Sequence, residues 1–133
     1  MKDDQCPFCQ IVQSDNFSRI IEQNSDAFLI EDRFPITPGH SLVISKRHVP
    51  SFFDTSPKER NSLVSLIETA KDLLEQKYHP SAYNIGISDG SAAGQTIPHL
   101  HVHLIPRYEE QDSDPRGGIR WIVPEKADYW SKQ

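Results

Sequence analysis

The chain has 133 residues, 36% of them hydrophobic and 25% charged, which is one domain with enough apolar material for a real core. A formal net charge of −5 argues against a broad electrostatic grip on nucleic acid, although a few local cations would still hold one phosphate-bearing small molecule. No window approaches the roughly 18 apolar residues of a membrane span, and the opening "MKDDQCPFCQIVQSDN" has no apolar signal-like run, so the chain reads as a cytoplasmic protein with no membrane partner.

In chain order, the first feature is Cys6-x-x-Cys9. In a reducing compartment this pair reads as half of a metal site, as a redox pair or as two buried thiols, rather than as a structural disulfide. A short helix is predicted from about Cys9 to Gln13. "RIIEQNSDAFLIEDR" then reads as two strands joined at Asn24-Ser25-Asp26, and "HSLVISKRH" as a third, entered through the turn Thr37-Pro38-Gly39. Ser56-Pro57-Lys58-Glu59 is a capping box with proline at the first helical position. Leu63, Ile67, Ala70 and Leu74 follow at helical spacing and predict a long helix ending near Tyr78-His79-Pro80. "AYNIGIS" is the fourth strand and the stretch around "HLHVHLIP" the fifth. "YEEQDSDPRGGIR" has no apolar period and predicts a mobile surface loop over about 109–118, before an aromatic closing segment over 119–133. The whole, 1–133, is a single α+β domain: about five antiparallel strands in a meander, one long helix over a face, and a short amino-terminal helix.

Half of the six histidines fall within five residues, as His99, His101 and His103, alternating with Leu100, Val102 and Leu104. On a strand the two sets take opposite faces, one building core and the other facing elsewhere. Three readings are open: a polar outer face, one metal held by all three, or a row divided by job, with one imidazole as nucleophile or base and its neighbours in support. Strand geometry weighs against the second, because His99 and His103 have Cα atoms about 13 Å apart whereas a zinc ligand must bring a nitrogen to about 2.1 Å. Just upstream, "SDGSAAGQT" offers Gly90 and Gly94 for close backbone approach, and Ser88, Ser91, Gln95 and Thr96 as uncharged donors, a composition suited to an anion cradle.

Taken together, "AAGQTIPHLHVHLIPRY" strongly resembles the signature of the histidine-triad family of nucleotide hydrolases and transferases. "EDRFPITPGHSLVISKRHVPSFFD" resembles its upstream block, and "CPFCQI" the start of many members. The details are closer to the branch with the fragile-histidine-triad proteins and bacterial diadenosine-polyphosphate hydrolases. The resemblance implies that His101 attacks the α-phosphorus of a purine nucleotide conjugate, such as a diadenosine polyphosphate or a nucleoside phosphoramidate, giving a covalent nucleotidyl-histidine that water cleaves. It implies that His103 bonds the phosphate or leaving group, that Gln95 and Thr96 hold nonbridging oxygens, and that His40 supports the site. Asp32 would take the ribose hydroxyls. Phe8, Phe28, Ile30 and Leu42 are candidates for the base pocket, and Arg116 and Arg120 for a polyphosphate tail. Ser88 departs from the Asn or Gln often found there, which puts leaving-group preference in question. The resemblance further implies a structural zinc on Cys6, Cys9, His48 and His99, and a homodimer. Two other function classes stay open: a nucleotide-binding or signalling module with vestigial catalysis, and a metal-dependent hydrolase using the histidine row directly.

Overall fold

The computed structural model describes residues 4–14, 18–109 and 114–131. Helix α1 spans Pro7–Gln13, and strands β1 (Glu22–Gln23), β2 (Ala27–Glu31) and β3 (Ser41–Ser45) follow. Helix α2 is Pro57–Tyr78; β4 (Ala82–Gly86) and β5 (His101–Arg107) complete the sheet. All pairings are antiparallel and the order is β1-β2-β3-β5-β4. This differs from the expected meander, since β5 enters between β3 and β4. The reason lies in burial: β5 alternates half-buried histidines with buried Val102, Leu104 and Pro106, and only an interior position under α2 covers that second set.

Helix α2 starts as expected. Ser56 Oγ accepts from Glu59 N at 3.1 Å, Ser56 N donates to Glu59 Oε1 at 2.9 Å, and the helix ends on His79 in the left-handed region. Its buried stripe is Leu63, Leu66, Ala70 and Leu74, packed on Ala27, Leu29, Val43, Leu100, Val102 and Leu104; Ile67, expected in the stripe, is only partly buried. Helix α1 begins two residues earlier than predicted, because the Cys6 sulfur caps it by accepting from Cys9 N at 3.5 Å.

The other sheet face carries a second cluster: Phe28, Ile30, Leu42 and Ile44 under Cys6, Phe8 and Cys9 of the amino-terminal segment. Cross-strand pairs share a face, and Leu42 opposes His103 while Ile44 opposes His101. That register places the histidines on the face away from α2. Between β2 and β3, the amide of Asp32 donates to the His40 carbonyl at 2.9 Å, and Gly39 turns the chain at φ +87°, with Leu74 and Tyr78 packed too close for a side chain. Asp32 and His40 are thereby held side by side at one end of the sheet.

Glu59 is 8% exposed and takes a two-point grip from Arg47, at 2.9 and 2.8 Å. Those hydrogen bonds hold its carboxyl down to about 2. Because the folded-state value lies below the ordinary one, the stabilisation is full above about pH 4.5 and is lost as the pH falls toward 2. Glu59→Gln is expected to cost about 2 kcal/mol at pH 7, with the gap to wild type narrowed to roughly half or less near pH 3, in urea melts at both pH values.

Candidate active site and metal centre

The histidine row divides into three environments. His99 is fully buried, and its Nε2–H donates to the Ser45 carbonyl at 2.6 Å. This leaves its Nδ1 lone pair aimed at Cys6 Sγ (3.3 Å), Cys9 Sγ (3.5 Å) and His48 Nδ1 (3.2 Å); Cys9 Sγ also stands 3.2 Å from His48 Nδ1. All four ligand atoms lie within 4.8 Å of one another. A tetrahedral zinc with sulfur at about 2.3 Å and nitrogen at about 2.05 Å has N···N edges near 3.3 Å and S···N edges near 3.5 Å. The observed spacings match those edges, so the residues fit the metal. Burial pushes the Cys6 thiol up and the His99 imidazole down to about 4, so without a cation these two groups are held in their neutral forms.

His101 is half-buried in the middle of the row. Its Nδ1–H donates to the His99 carbonyl at 2.8 Å, which leaves Nε2 as the unprotonated nitrogen. No other hydrogen bond reaches this ring among the described residues.

His103 belongs to a third group with His40 and Asp32. The Ile36 amide donates to His40 Nδ1 at 3.2 Å, so the His40 proton sits on Nε2, 2.9 Å from His103 Nδ1 and 3.4 Å from Asp32 Oδ2. His103 Nδ1 therefore accepts, and its own proton lies on Nε2. Burial lowers the pKa of both rings, with neighbouring histidines adding to the effect at His103 and Asp32 opposing it at each, so both stay neutral at pH 7. Asp32, His40 and His103 could geometrically hold a metal. A protonated Nε2 on His40 is no ligand, however, and the Ile36 amide enforces it. This group is a hydrogen-bond chain.

An 860 Å³ cleft opens beside His103, lined by Ser88, Asn84, Arg107 and Thr37 and walled by Ile119, Trp121 and Ile122 of the carboxy-terminal segment. Ser88 thus faces the same cleft as His103. Thr96 is exposed at the end of the glycine loop. Gln95 has both amide atoms turned into that loop: Oε1 accepts from Gly90 N at 2.8 Å, and Nε2 donates to the carbonyls of Pro50 and Ile97 at 3.0 and 3.1 Å. Phe8, Phe28, Ile30 and Leu42 are all buried in the second cluster. Neither arginine expected at a polyphosphate tail extends freely: Arg116 grips Asp114 and stacks on Trp130, and Arg120 donates to the carbonyls of Lys126 and Ala127 and stacks on Tyr129. Residues 110–113 of the expected mobile loop lie outside the described ones.

Two site features escaped the sequence reading. Thr37, read only as a turn residue, lines the cleft with a buried hydroxyl that lacks a partner among the described residues. Asp89 ties the glycine loop to the segment before α2, accepting from Ser51 Oγ at 3.1 Å and Phe52 N at 2.9 Å; its place in an Asp-Gly pair was the available signal.

The family model of the HIT domain matches residues 13–110. The chain is 46% identical over 80 residues to the bis(5'-nucleosyl)-tetraphosphatase [asymmetrical] of Schizosaccharomyces pombe, a match covering 60% of this chain and 44% of that protein. It is 38% identical over 104 residues to an uncharacterised HIT-like protein of Mycoplasma genitalium, covering 78% and 74% of the two chains. Among solved structures, a zinc-bound histidine triad family protein from Mycobacterium smegmatis superposes with a TM-score of 0.73 at 30% identity, over 97% of this chain and 98% of the other.

Proposed function

Because the chain belongs to the HIT domain family, we propose that it hydrolyses or transfers nucleotidyl groups at the α-phosphate of a purine nucleotide conjugate, with His101 as nucleophile. The observation that carries the reading is the hydrogen bond from His101 Nδ1 to the His99 carbonyl, which leaves Nε2 unprotonated and unpaired beside a neutral donor, His103. In the first step Nε2 bonds to the α-phosphorus as the phosphorus–leaving group bond breaks. A nucleoside polyphosphate departs as an anion and needs no proton, whereas the nitrogen of a phosphoramidate takes one proton from solvent and departs as a neutral amine. The ring then carries a positive charge, which the His99 carbonyl stabilises through Nδ1–H. His103 Nε2–H donates to the phosphoryl oxygens or the departing oxygen without losing its proton. In the second step a water oxygen bonds to phosphorus, the phosphorus–nitrogen electrons return to Nε2, and one proton passes to solvent.

Gln95, Asp89 and the glycines hold the cradle loop. Thr96, Ser88 and Thr37 supply its donors, and Asp32 takes the ribose. A structural zinc on Cys6, Cys9, His48 and His99 fits the tetrahedral spacing, and a closed Cys2His2 set leaves no position for water. No helix among the described residues is long and apolar enough to cross a membrane, and two free buried thiols suit a reducing cytoplasm. The unpaired edge of β4, with Ile85 and Ile87 exposed, suits a homodimer that continues the sheet.

The test is brief mixing with diadenosine tetraphosphate or an adenosine phosphoramidate, followed by intact-mass and product analysis. An adenylyl adduct with released AMP supports the reading; tight binding with neither moves it to a nucleotide-binding module. Within this scheme His40→Asn removes the donor that sets the His103 tautomer, and is expected to lower kcat roughly tenfold with little change in KM. Steady-state kinetics on either substrate checks it.

A further inference from the structure

The glycine loop between β4 and the histidine row closes on itself. Ala93 N and Gln95 N donate to the Gly90 carbonyl at 3.0 and 3.2 Å, Gly94 N donates to that of Ser91 at 3.0 Å, and Gly90 and Gly94 both sit at φ +99°. Such a unit keeps its shape and moves as one body. Among the described residues, two of its side chains bond it to the segment before α2. Gln95 Nε2 donates to the Pro50 carbonyl at 3.0 Å, and Asp89 Oδ2 accepts from Ser51 Oγ at 3.1 Å and from Phe52 N at 2.9 Å. The far end of the Asp89 tether is itself held. Ser51 Oγ, which donates to Asp89, also accepts from Phe53 N at 3.1 Å and caps the single-turn helix Phe52–Asp54, while Phe52 packs on the α2 core. Ser88 and Ala93 of the loop line the cleft beside His103, and Asp89 does not. A serine hydroxyl stands one carbon from the backbone, so the reach of Ser88 into the cleft is set by where the loop lies. With the Asp89 tether cut, the loop is left to pivot about Gln95.

We propose that Asp89 is a positioning residue, whose grip on Ser51 and Phe52 holds the glycine loop at the depth from which Ser88 meets the reacting phosphoryl group. Its own carboxylate touches no substrate. An anion left free beside the cradle would repel a phosphate, and the two donors on Oδ2 keep this one engaged with the segment before α2. This rests on the loop being the cradle of the proposed nucleotidyl reaction.

The experiment compares wild type, Asp89→Ala, Asp89→Asn and Ser51→Ala in the full chain by thermal melt, by kcat and KM on diadenosine tetraphosphate, and by the nitrogen–proton NMR signal of the Gly94 amide without ligand. Gly94 is chosen because it lies at the other end of the loop from the substitution. Expected for Asp89→Ala is a kcat lowered roughly 10- to 50-fold with KM little changed, and a displaced Gly94 signal. Both bonds end on one oxygen, so the amide oxygen of Asp89→Asn can take its place and restore most of the rate. Ser51→Ala leaves Phe52 N as a donor and should fall between the two. An Asp89→Ala protein that melts lower but keeps the wild-type kcat confines Asp89 to stability and overturns the proposal. A raised KM with unchanged kcat overturns it as well, as does an Asp89→Asn protein as slow as Asp89→Ala, which would assign the effect to charge. If the wild type itself forms no adduct and releases no AMP, the nucleotidyl reading fails separately, and an unmoved Gly94 signal in Asp89→Ala would still show that Asp89 does not hold the loop.

Discussion

Replacing His101 by alanine is expected to abolish the adenylyl adduct and to lower turnover by about 10⁴-fold or more, while the protein stays folded and still binds nucleotide. The size follows from the geometry. The ring of His103 has its Nδ1 occupied by His40, and that of His99 has Nε2 bonded to Ser45 and Nδ1 in the cluster, so neither can replace the lost nitrogen. The effect on folding is small because His101 is half-buried and its deletion removes one hydrogen bond and edge contacts with Phe8 and His103. Intact-mass spectrometry after brief mixing, with a thermal melt alongside, checks both halves. An adduct of undiminished yield in the variant would transfer the nucleophile's role to another residue and end the proposed mechanism. A partial case is informative too: His103→Ala should still form the adduct, more slowly, because it removes a donor and leaves Nε2 of His101 intact.

The legible parts of this molecule were those written in short spans. Helix α2 follows from Ser56-Pro57-Lys58-Glu59 and its apolar period, and the structure reproduces the capping box bond for bond. Leu66 displaces Ile67 from the stripe because a 3.6-residue period leaves two neighbours nearly equivalent, and the register of the helix on the sheet decides between them. The position of β5 was not legible, since pairing between residues more than 50 apart depends on which face must be covered and not on local pattern. The same holds at the site. The residues around His101 are visible as a motif, but their protonation is not. That rests on a backbone amide, Ile36, and two backbone carbonyls, Ser45 and His99, and no residue type announces these in advance. Gln95 shows the converse limit: its identity suggests a phosphate contact, and its bonds to Gly90, Pro50 and Ile97 show an amide engaged in holding the loop. Arg116 and Arg120 likewise look free in sequence and are paired within their own segment.

Removing the metal is expected to have the larger effect on stability. Helix α1 is only seven residues long, too short to hold itself, and it lies on the histidine face through Cys6, Phe8 and Cys9. With zinc in place, four buried or half-buried ligands from three separated segments are tied at one point. Without it, His99 remains fully buried with a lone pair facing two sulfurs and another imidazole nitrogen, and the desolvation of those groups is no longer offset. The rest of the core, centred on α2, does not depend on the cluster, so the apo protein should fold. The loss is then on the order of 4 kcal/mol, well below the binding energy of a zinc-dependent finger. For a domain of this size that corresponds to a Tm lower by roughly 10 to 20 °C. Metal analysis should find one zinc per chain. Chelation and Cys9→Ser should lower Tm by similar amounts, and returning zinc should restore the chelated protein but not the variant. A protein purified with full thermal stability and no metal would exclude a structural zinc. If its intact mass were also short by two hydrogens, Cys6 and Cys9 would be a redox pair, and the burial of both sulfurs beside His48 and His99 would then serve to tune a disulfide.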